Sequence, residues 1–282
     1  MCSPVRAEEG ITGFLCAPGS SIPFRDLPTS QQIGGYPTTE QLAASEVDGA
    51  TLDSEGRCII LEFPAFVLLG VYCPANRDET RDDFRHGFLE VLDHRVRNLV
   101  AMGKRVVLAG DINVARNASD SARAKDLIRK GKLTPDEFCS APARRLFNQL
   151  VRDVDVIGDR DPRKEMPVLW DSCREFHPGR SGMYTCWEQR INARPGNFGA
   201  RIDYILCSLD MSDWILSANI QEELMVRVSV HLSRFWWLTR AGLRSLSRVR
   251  CFQKQSYCRR QGVEFARYYE STRLFRRRKK NS

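Results

Sequence analysis

Two short stretches hold residue types able to do chemistry on a phosphate ester. In Leu108-Ala109-Gly110-Asp111-Ile112-Asn113 an apolar strand ends in a carboxylate and, two residues on, a primary amide. Residues two apart in extended chain point the same way, so Asp111 and Asn113 are expected on one face. A carboxylate there can bind a divalent metal or take a proton from water, and an amide can donate to a phosphoryl oxygen. The competing reading is an Asp-x-Asn turn capping the next helix, because Asx residues favour such turns. The second stretch is Arg201-Ile202-Asp203-Tyr204-Ile205-Leu206. Alternation sets Arg201 and Asp203 on one face and Ile202, Tyr204 and Leu206 on the other. An Asp embedded in a strand needs a partner. Arg201 or a backbone amide supplies one if the residue is structural, and the functional reading stands beside that.

Short β-branched and apolar runs alternate with longer helical patterns, the signature of an α/β layered fold. Residues 57–63 and 66–72, parted by Pro64-Ala65, read as a strand pair with a tight turn that delivers Tyr72 to a strand end. From 82 to 102, Phe84, Phe88, Val91, Leu92, Val96 and Leu99 recur at helical steps, and Gly103 stands at the C-cap position. Residues 105–111 form the strand that ends in Asp111. Helices are expected over 118–129 and over 135–151, where Thr134-Pro135-Asp136-Glu137 is a start signal. Further strands are expected at 183–187, 201–208 and, more weakly, 214–220. Residues 26–56, rich in Pro, Gly, Gln, Thr and Ser, read as a long surface loop, functional or mobile.

Composition narrows the class. With 42% hydrophobic and 28% charged residues, the 282-residue chain falls among soluble globular proteins. No apolar run approaches the ~18 residues of a membrane span. The first residues lack the charged and apolar regions of a secretory signal. Ten cysteines without a Cys-x-x-Cys pair read as free thiols in a reducing compartment. The formal charge of +8 conceals a split, because residues 226–282 carry 16 Lys+Arg against 2 Asp+Glu, leaving 27 against 33 in residues 1–225. An acidic body thus precedes a basic tail, of a kind that meets nucleic acid or an anionic surface. The tail lacks helical or alternating periodicity and is expected to be disordered or non-native, as a translated intron would be.

The order of these motifs resembles the exonuclease III-type AP endonucleases of the endonuclease/exonuclease/phosphatase superfamily, and within them the AP endonuclease 2 branch of fungal type. Val71-Tyr72-Cys73-Pro74 resembles the family's Tyr-x-Pro strand end, and Ala109-Gly110-Asp111-Ile112-Asn113 its Gly-Asp-x-Asn. Met183-Tyr184-Thr185-Cys186-Trp187 resembles its aromatic-Thr-x-Trp strand. Asn197-Phe198-Gly199-Ala200-Arg201-Ile202-Asp203-Tyr204 resembles its Asn-x-Gly-x-Arg-hydrophobic-Asp-Tyr.

The resemblance implies a two-sheet, four-layer α/β sandwich of DNase I type over residues 1–225, with 26–56 a loop insertion. It implies a hydrolase dependent on Mg²⁺ or Mn²⁺ that incises DNA 5′ to abasic sites and has 3′–5′ exonuclease and 3′-phosphodiesterase activity. Tyr72 is then the phenol near the scissile phosphate, and Asp111 the proton-transfer residue and metal neighbour. Asn113 stabilises the transition state beside the metal, and Asp203 orients a catalytic His. Arg77, Cys186, Trp187, Asn197, Ala200 and Ile202 contact substrate. The implied partners are abasic or 3′-blocked DNA and, for the branch, a sliding clamp whose motif is not found here. Location is expected to be nuclear, or mitochondrial, and Arg276-Arg277-Arg278-Lys279-Lys280 could serve nuclear import.

The family's opening Trp-Asn-x-Asn-Gly and Gln-Glu strands do not occur in this chain. Neither does its Gly-Ser-Asp-His-Cys-Pro after Met225, and Ala75 replaces the Asn after Tyr-x-Pro. The expectation is a fold with an incomplete first half and no turnover of abasic DNA by the chain as written. A catalytically dead fragment or noncatalytic DNA-binding remnant is the competing functional class.

Overall fold

The computed structural model describes residues 3–75, 81–154, 156–220 and the backbone of 235–236. The chain divides into two units, Pro4–Arg240 and Met1–Ser3 with Ala241–Ser282, and Ser3 is the only described residue of the second. The expectations for the basic tail fall outside the described residues.

The apolar runs around Pro64-Ala65 form the expected hairpin. Strands β2 (Cys58–Glu62) and β3 (Val67–Tyr72) pair antiparallel, Cys58 opposite Val71 and Glu62 opposite Val67. Strand β1 (Arg6–Glu9) extends the sheet beyond β2. After β3 the chain crosses over through helix α3 (Asp82–Ala101), following two short helices, α1 (Thr39–Ala43) and α2 (Gly49–Asp53). Asp82 and Asp83 sit in the first turn of α3, where the helix dipole favours negative charge. Gly103, at φ +77°, closes its other end, with the Lys104 amide donating to the Leu99 carbonyl at 3.1 Å. Phe88, Val91, Leu92, Val96 and Leu99 are buried as the spacing predicts, and Phe84 packs at the margin of the core.

Strand β4 (Val106–Asp111) returns parallel to β3, and β5 (Leu169–Asp171) lies further along the chain. A two-stranded ribbon of β6 (Cys186–Trp187) and β7 (Gly199–Ala200) precedes β8 (Asp203–Ser208). β8 runs antiparallel to both β4 and β5, so the mixed sheet has the order β1-β2-β3-β4-β8-β5. Helices α4 (Ala122–Arg129), α5 (Pro135–Ser140) and α6 (Pro142–Leu150) lie between β4 and β5, and α7 (Ser172–Phe176) follows β5. Helix α6 packs on α3 and adds Leu146, Phe147 and Leu150 to the core against the sheet. The α/β class holds. Among the described residues it consists of one six-stranded sheet with its helical layer, beside which stand only two-stranded ribbons.

Several boundaries differ from expectation for physical reasons. The helix expected over 135–151 breaks at Ala141, whose extended backbone (ψ 131°) reflects the bar that Pro142 places on helical geometry in the residue before it. The strand expected at 183–187 shrinks to its last two residues, and that at 201–208 begins at Asp203. The 26–56 segment is no structureless loop: it forms a 3₁₀ turn (Thr29–Gln31), α1 and α2, and buries Ile33 and Leu52 completely. Two buried carboxylates organise it. Glu8 accepts from the Ile33 amide at 2.8 Å and the Tyr36 hydroxyl at 2.6 Å, and Arg95 closes the cluster at 2.9 Å. Asp53 accepts from the amides of Ile11 and Thr12 at 2.6 and 3.1 Å. The described cysteines are all free thiols, and no helix among the described residues is long and apolar enough to cross a membrane.

Candidate active site

Strand register brings the sequence motifs together. Tyr72 at the end of β3 lies opposite Asp111 at the end of β4, and Asp111 lies opposite Asp203 at the start of β8. Three residues spaced by 39 and 92 positions thus stand in one row across three adjacent strands. Tyr72 is exposed (41%), and its carbonyl accepts from Arg57 at 3.1 Å while the Arg57 guanidinium lies 5.4 Å from its ring centre. Asp111 is half-buried and Asp203 buried.

Asn113 reaches the row by a turn, not by the extended chain its spacing suggested. Its backbone is left-handed, at φ +55°, and its amide donates to Asp111 Oδ1 at 2.9 Å. That bond is the Asx turn of the competing reading, and it coexists with a site, because the Asn113 side chain folds back to donate from Nδ2 to the Cys73 carbonyl at 2.8 Å. The amide is therefore fixed between the ends of β3 and β4. Gly110 permits the approach: its φ is +143°, and a Cβ there would lie 2.0 Å from the Val71 carbonyl oxygen. Beyond the turn, the Ile112 amide donates to the Ile202 carbonyl at 2.9 Å and Tyr204 Oη lies 2.8 Å from the Val114 carbonyl.

The pairing of Arg201 with Asp203 is corrected by the structure. Arg201 precedes the strand and turns into a buried ion network. It donates from Nη1 to Asp171 Oδ1 and from Nε to Asp120 Oδ1, both at 3.1 Å, with a second short contact from Nη2 to Asp171 Oδ2. Arg116 donates to Asp171 Oδ2 at 3.1 Å, and Arg174 to Asp120 Oδ1 at 2.7 Å. Opposed charge and hydrogen bonds from Arg201 and Arg116 overcome burial and hold the Asp171 carboxyl down at about 2.

Asp203 instead has no ion pair among the described residues. Burial and the neighbouring charge of Asp111 push its carboxyl well above the usual range, against the opposing effect of Thr185. Thr185 Oγ1 accepts from the amides of Ile202 and Asp203 at 3.1 and 3.2 Å, pinning the start of β8 to the residue before β6. Thr185, Arg116, Asp120 and Asp171 were not singled out by sequence reasoning. Only Thr185 carried a signal, as the Thr of the aromatic-Thr-x-Trp stretch.

The expected substrate contacts cluster on the ribbon. Ala200 and Ile202, both half-buried, flank Arg201. Trp187 Nε1 donates to Asn197 Oδ1 at 3.1 Å, Asn197 Nδ2 donates to the Gly182 carbonyl at 3.1 Å, and the Arg194 guanidinium stacks 4.6 Å from the Trp187 ring centre. Cys186 is half-buried, its thiol pushed up to about 11 by desolvation and then by Asp203 and Asp111, so it borders the carboxylate pair. Arg77 lies outside the described residues.

Among the described residues, no three His, Cys, Asp or Glu side chains form a group that would hold a metal by themselves. The donor set present suits a hard cation bound partly by substrate. Magnesium is commonly held by one or two carboxylates plus phosphate oxygens, and a carboxylate raised by its carboxylate neighbour is relieved by positive charge between them. Asp111 and Asp203 meet that description.

Comparison with known proteins accords with this geometry. The Endonuclease/Exonuclease/phosphatase family model matches residues 22–222. The DNA-(apurinic or apyrimidinic site) endonuclease 2 of Schizosaccharomyces pombe is 38% identical over 226 residues, covering 79% of this chain and 39% of that protein. The protein of the same name from Saccharomyces cerevisiae is 36% identical over 249 residues, covering 78% and 46%. The chain therefore spans less than half the length of these relatives. The crystal structure of the Xenopus laevis APE2 catalytic domain aligns with a TM-score of 0.59 at 27% identity, covering 79% of this chain and 64% of that one. With the Tyr72-Asp111-Asp203 row and the Gly-Asp-x-Asn turn both inside the matched residues, the chain belongs to the Endonuclease/Exonuclease/phosphatase family.

Proposed function

We propose that the chain carries the phosphodiester-cleaving centre of a DNA repair nuclease, a hydrolase that incises 5′ to abasic sites and removes 3′ blocks or nucleotides. The observation that carries this reading is the register row of Tyr72, Asp111 and Asp203 with the Asn113 amide locked beside it. The endonuclease 2 names of the relatives support DNA as substrate and an abasic site as lesion. Asp111 accepts the proton of the attacking water, Asn113 stabilises charge on the phosphoryl oxygens, and the Tyr72 phenol lies against the scissile phosphate. Asp111 and Asn113, with Asp203 across the strand, would hold Mg²⁺ or Mn²⁺, which supplies Lewis-acid polarisation of the phosphoryl oxygen. Trp187, Asn197, Ala200 and Ile202 form the wall that meets the lesion. By the same reading residues 1–225 are a partial nuclease domain and 226–282 a basic tail, the location is nuclear or mitochondrial, and a sliding clamp is a partner of the branch whose motif is not found in this sequence.

The test is strand incision of a duplex with one abasic site, in millimolar Mg²⁺ and in EDTA. Nicking above background is not expected from the chain as written, in which the family's opening Gln-Glu strand and its Ser-Asp-His motif do not occur. Nicking by this centre would depend on Mg²⁺, disappear in Asp111→Ala and fall ~10²- to 10⁴-fold in Asn113→Ala, the range for loss of a single acid-base or oxyanion group. Nicking that survives Asp111→Ala would overturn the assignment. Tight lesion binding without nicking would favour a noncatalytic DNA-binding protein.

A further inference from the structure

The acidic balance of residues 1–225 poses a problem for a surface that must meet a polyanion, and helix α4 answers it. The ten residues 123–132 hold Arg123, Lys125, Arg129, Lys130 and Lys132 against the single Asp126. Asp126 neutralises only part of this stripe, pairing with Arg129 at 2.7 Å and Lys130 at 2.6 Å. Arg123, Lys125 and Lys132 make no ion pair among the described residues, and Arg123 and Lys132 are exposed. A charge run of this kind is often just a solvated face, so its position decides the matter.

Helix α4 is tied at its start to the wall of the candidate active site. Its N-cap Ser121 forms a β-bridge with Ala200, and the Arg201 amide donates to the Asp120 carbonyl at 2.8 Å. Lys125, one turn in, places its ammonium 5.9 Å from the ring centre of Tyr184, which adjoins Thr185. The stripe therefore begins at the ribbon and runs away from it. At 1.5 Å per residue the helix is ~12 Å long. A DNA strand carries one phosphate per ~3.4 Å of duplex axis, so the length of α4 matches the span of roughly three or four phosphates.

We propose that the α4 stripe is a phosphate-binding surface for the DNA backbone flanking the lesion, with Arg123 and Lys125 as its site-proximal contacts. This rests on the nuclease reading for the identity of the ligand and extends it to a surface that holds the duplex in place. Backbone contacts of this kind position a duplex without reading its sequence.

The test is equilibrium binding of the full chain, in EDTA, to a duplex with one tetrahydrofuran abasic analogue and to the undamaged duplex, from 50 to 200 mM salt. The variants are Arg123→Glu/Lys125→Glu and a charge-matched control, Arg105→Glu/Arg163→Glu. Arg105 precedes β4 at the end opposite Asp111, and Arg163 is exposed on another loop. The basic tail is common to all of these proteins, so its contribution cancels. Each lost phosphate contact removes ~0.9 from the log–log salt slope. The expected result is a slope shallower by about 2 and affinity weaker by ~10-fold in the α4 variant, with the control near wild type. Equal losses in both variants, or no loss in the α4 variant, would overturn the proposal. A loss of slope on both duplexes supports the stripe even if the lesion is not preferred, whereas absence of lesion preference counts against the nuclease reading alone.

Discussion

Asp203 and Asp171 lie on neighbouring strands of one sheet, almost equally buried at 6% and 5% exposure, and they are driven in opposite directions. Asp171 meets the guanidiniums of Arg201 and Arg116, and its carboxyl is held down at about 2. Asp203 faces Asp111 across the strand pair, and its carboxyl is pushed up. Burial penalises both charges, so the neighbours decide the sign. One region is a closed ion network that organises β5, α7 and the approach to β8. The other leaves negative charge facing negative charge at a strand end, the condition a cation would relieve. The contrast separates a structural use of aspartate from a functional one within a few residues of chain.

The largest effect should come from opening the closed network. Arg201→Met keeps side-chain bulk but leaves Asp171 and Asp120 short of their central cation. Removing one partner of a buried pair costs about 3–5 kcal/mol, because the remaining charge stays buried. Urea denaturation should show the unfolding free energy falling by that amount or the protein failing to fold. A loss below ~1 kcal/mol, the range of exposed ion pairs, would show that the network is not sealed from solvent.

Acid provides a gentler probe of the same region. The folded carboxyl of Asp171 lies below its ordinary value near 3.8, so its stabilising contribution is fully present above pH ~4 and is lost as pH falls through about 2. A depression of this size corresponds to roughly 2–3 kcal/mol. The stability difference between wild type and Asp171→Asn should therefore hold constant from pH 7 to pH 4 and narrow below it. A difference that already narrows between pH 7 and pH 5 would contradict the depressed carboxyl.

The unequal legibility of these two regions in the sequence has a physical basis. The β2–β3 hairpin, α3 with its Gly103 stop, and the carboxylate end of β4 were readable because local periodicity and turn chemistry specify them. The site row was readable as separate motifs, but its assembly depends on register between strands far apart in sequence. The network escaped notice because Arg201 meets Asp171 and Asp120 across 30 and 81 residues, and alternation pointed Arg201 at Asp203 instead. That inference failed because β8 begins at Asp203, leaving Arg201 outside the alternating backbone. Residues 26–56 looked loose for a related reason. Their order comes from Glu8 capturing the Ile33 amide and Asp53 capturing those of Ile11 and Thr12, at separations of 25, 42 and 41 residues.

The smallest expected effect is also the one that tests the comparison from the other side. Asp203→Asn keeps the shape of the side chain and removes one of two facing negative charges. If Asp203 were structural in the manner of Asp171, this substitution would destabilise the fold. If the pair is a site poised for a cation, it should stabilise the metal-free protein by about 1 kcal/mol, the increment typical of relieving strain kept for function. Magnesium then supplies the discriminating arm. A ligand that binds only the folded state stabilises it by RT ln(1 + [L]/Kd), about 1.4 kcal/mol at tenfold excess over Kd. Millimolar Mg²⁺ should therefore raise the urea midpoint of wild type and leave Asp203→Asn nearly unchanged, closing the gap between them. A loss of stability in Asp203→Asn comparable to that of Arg201→Met, with no response of wild type to Mg²⁺, would erase the distinction between the two aspartates and place Asp203 among the structural charges.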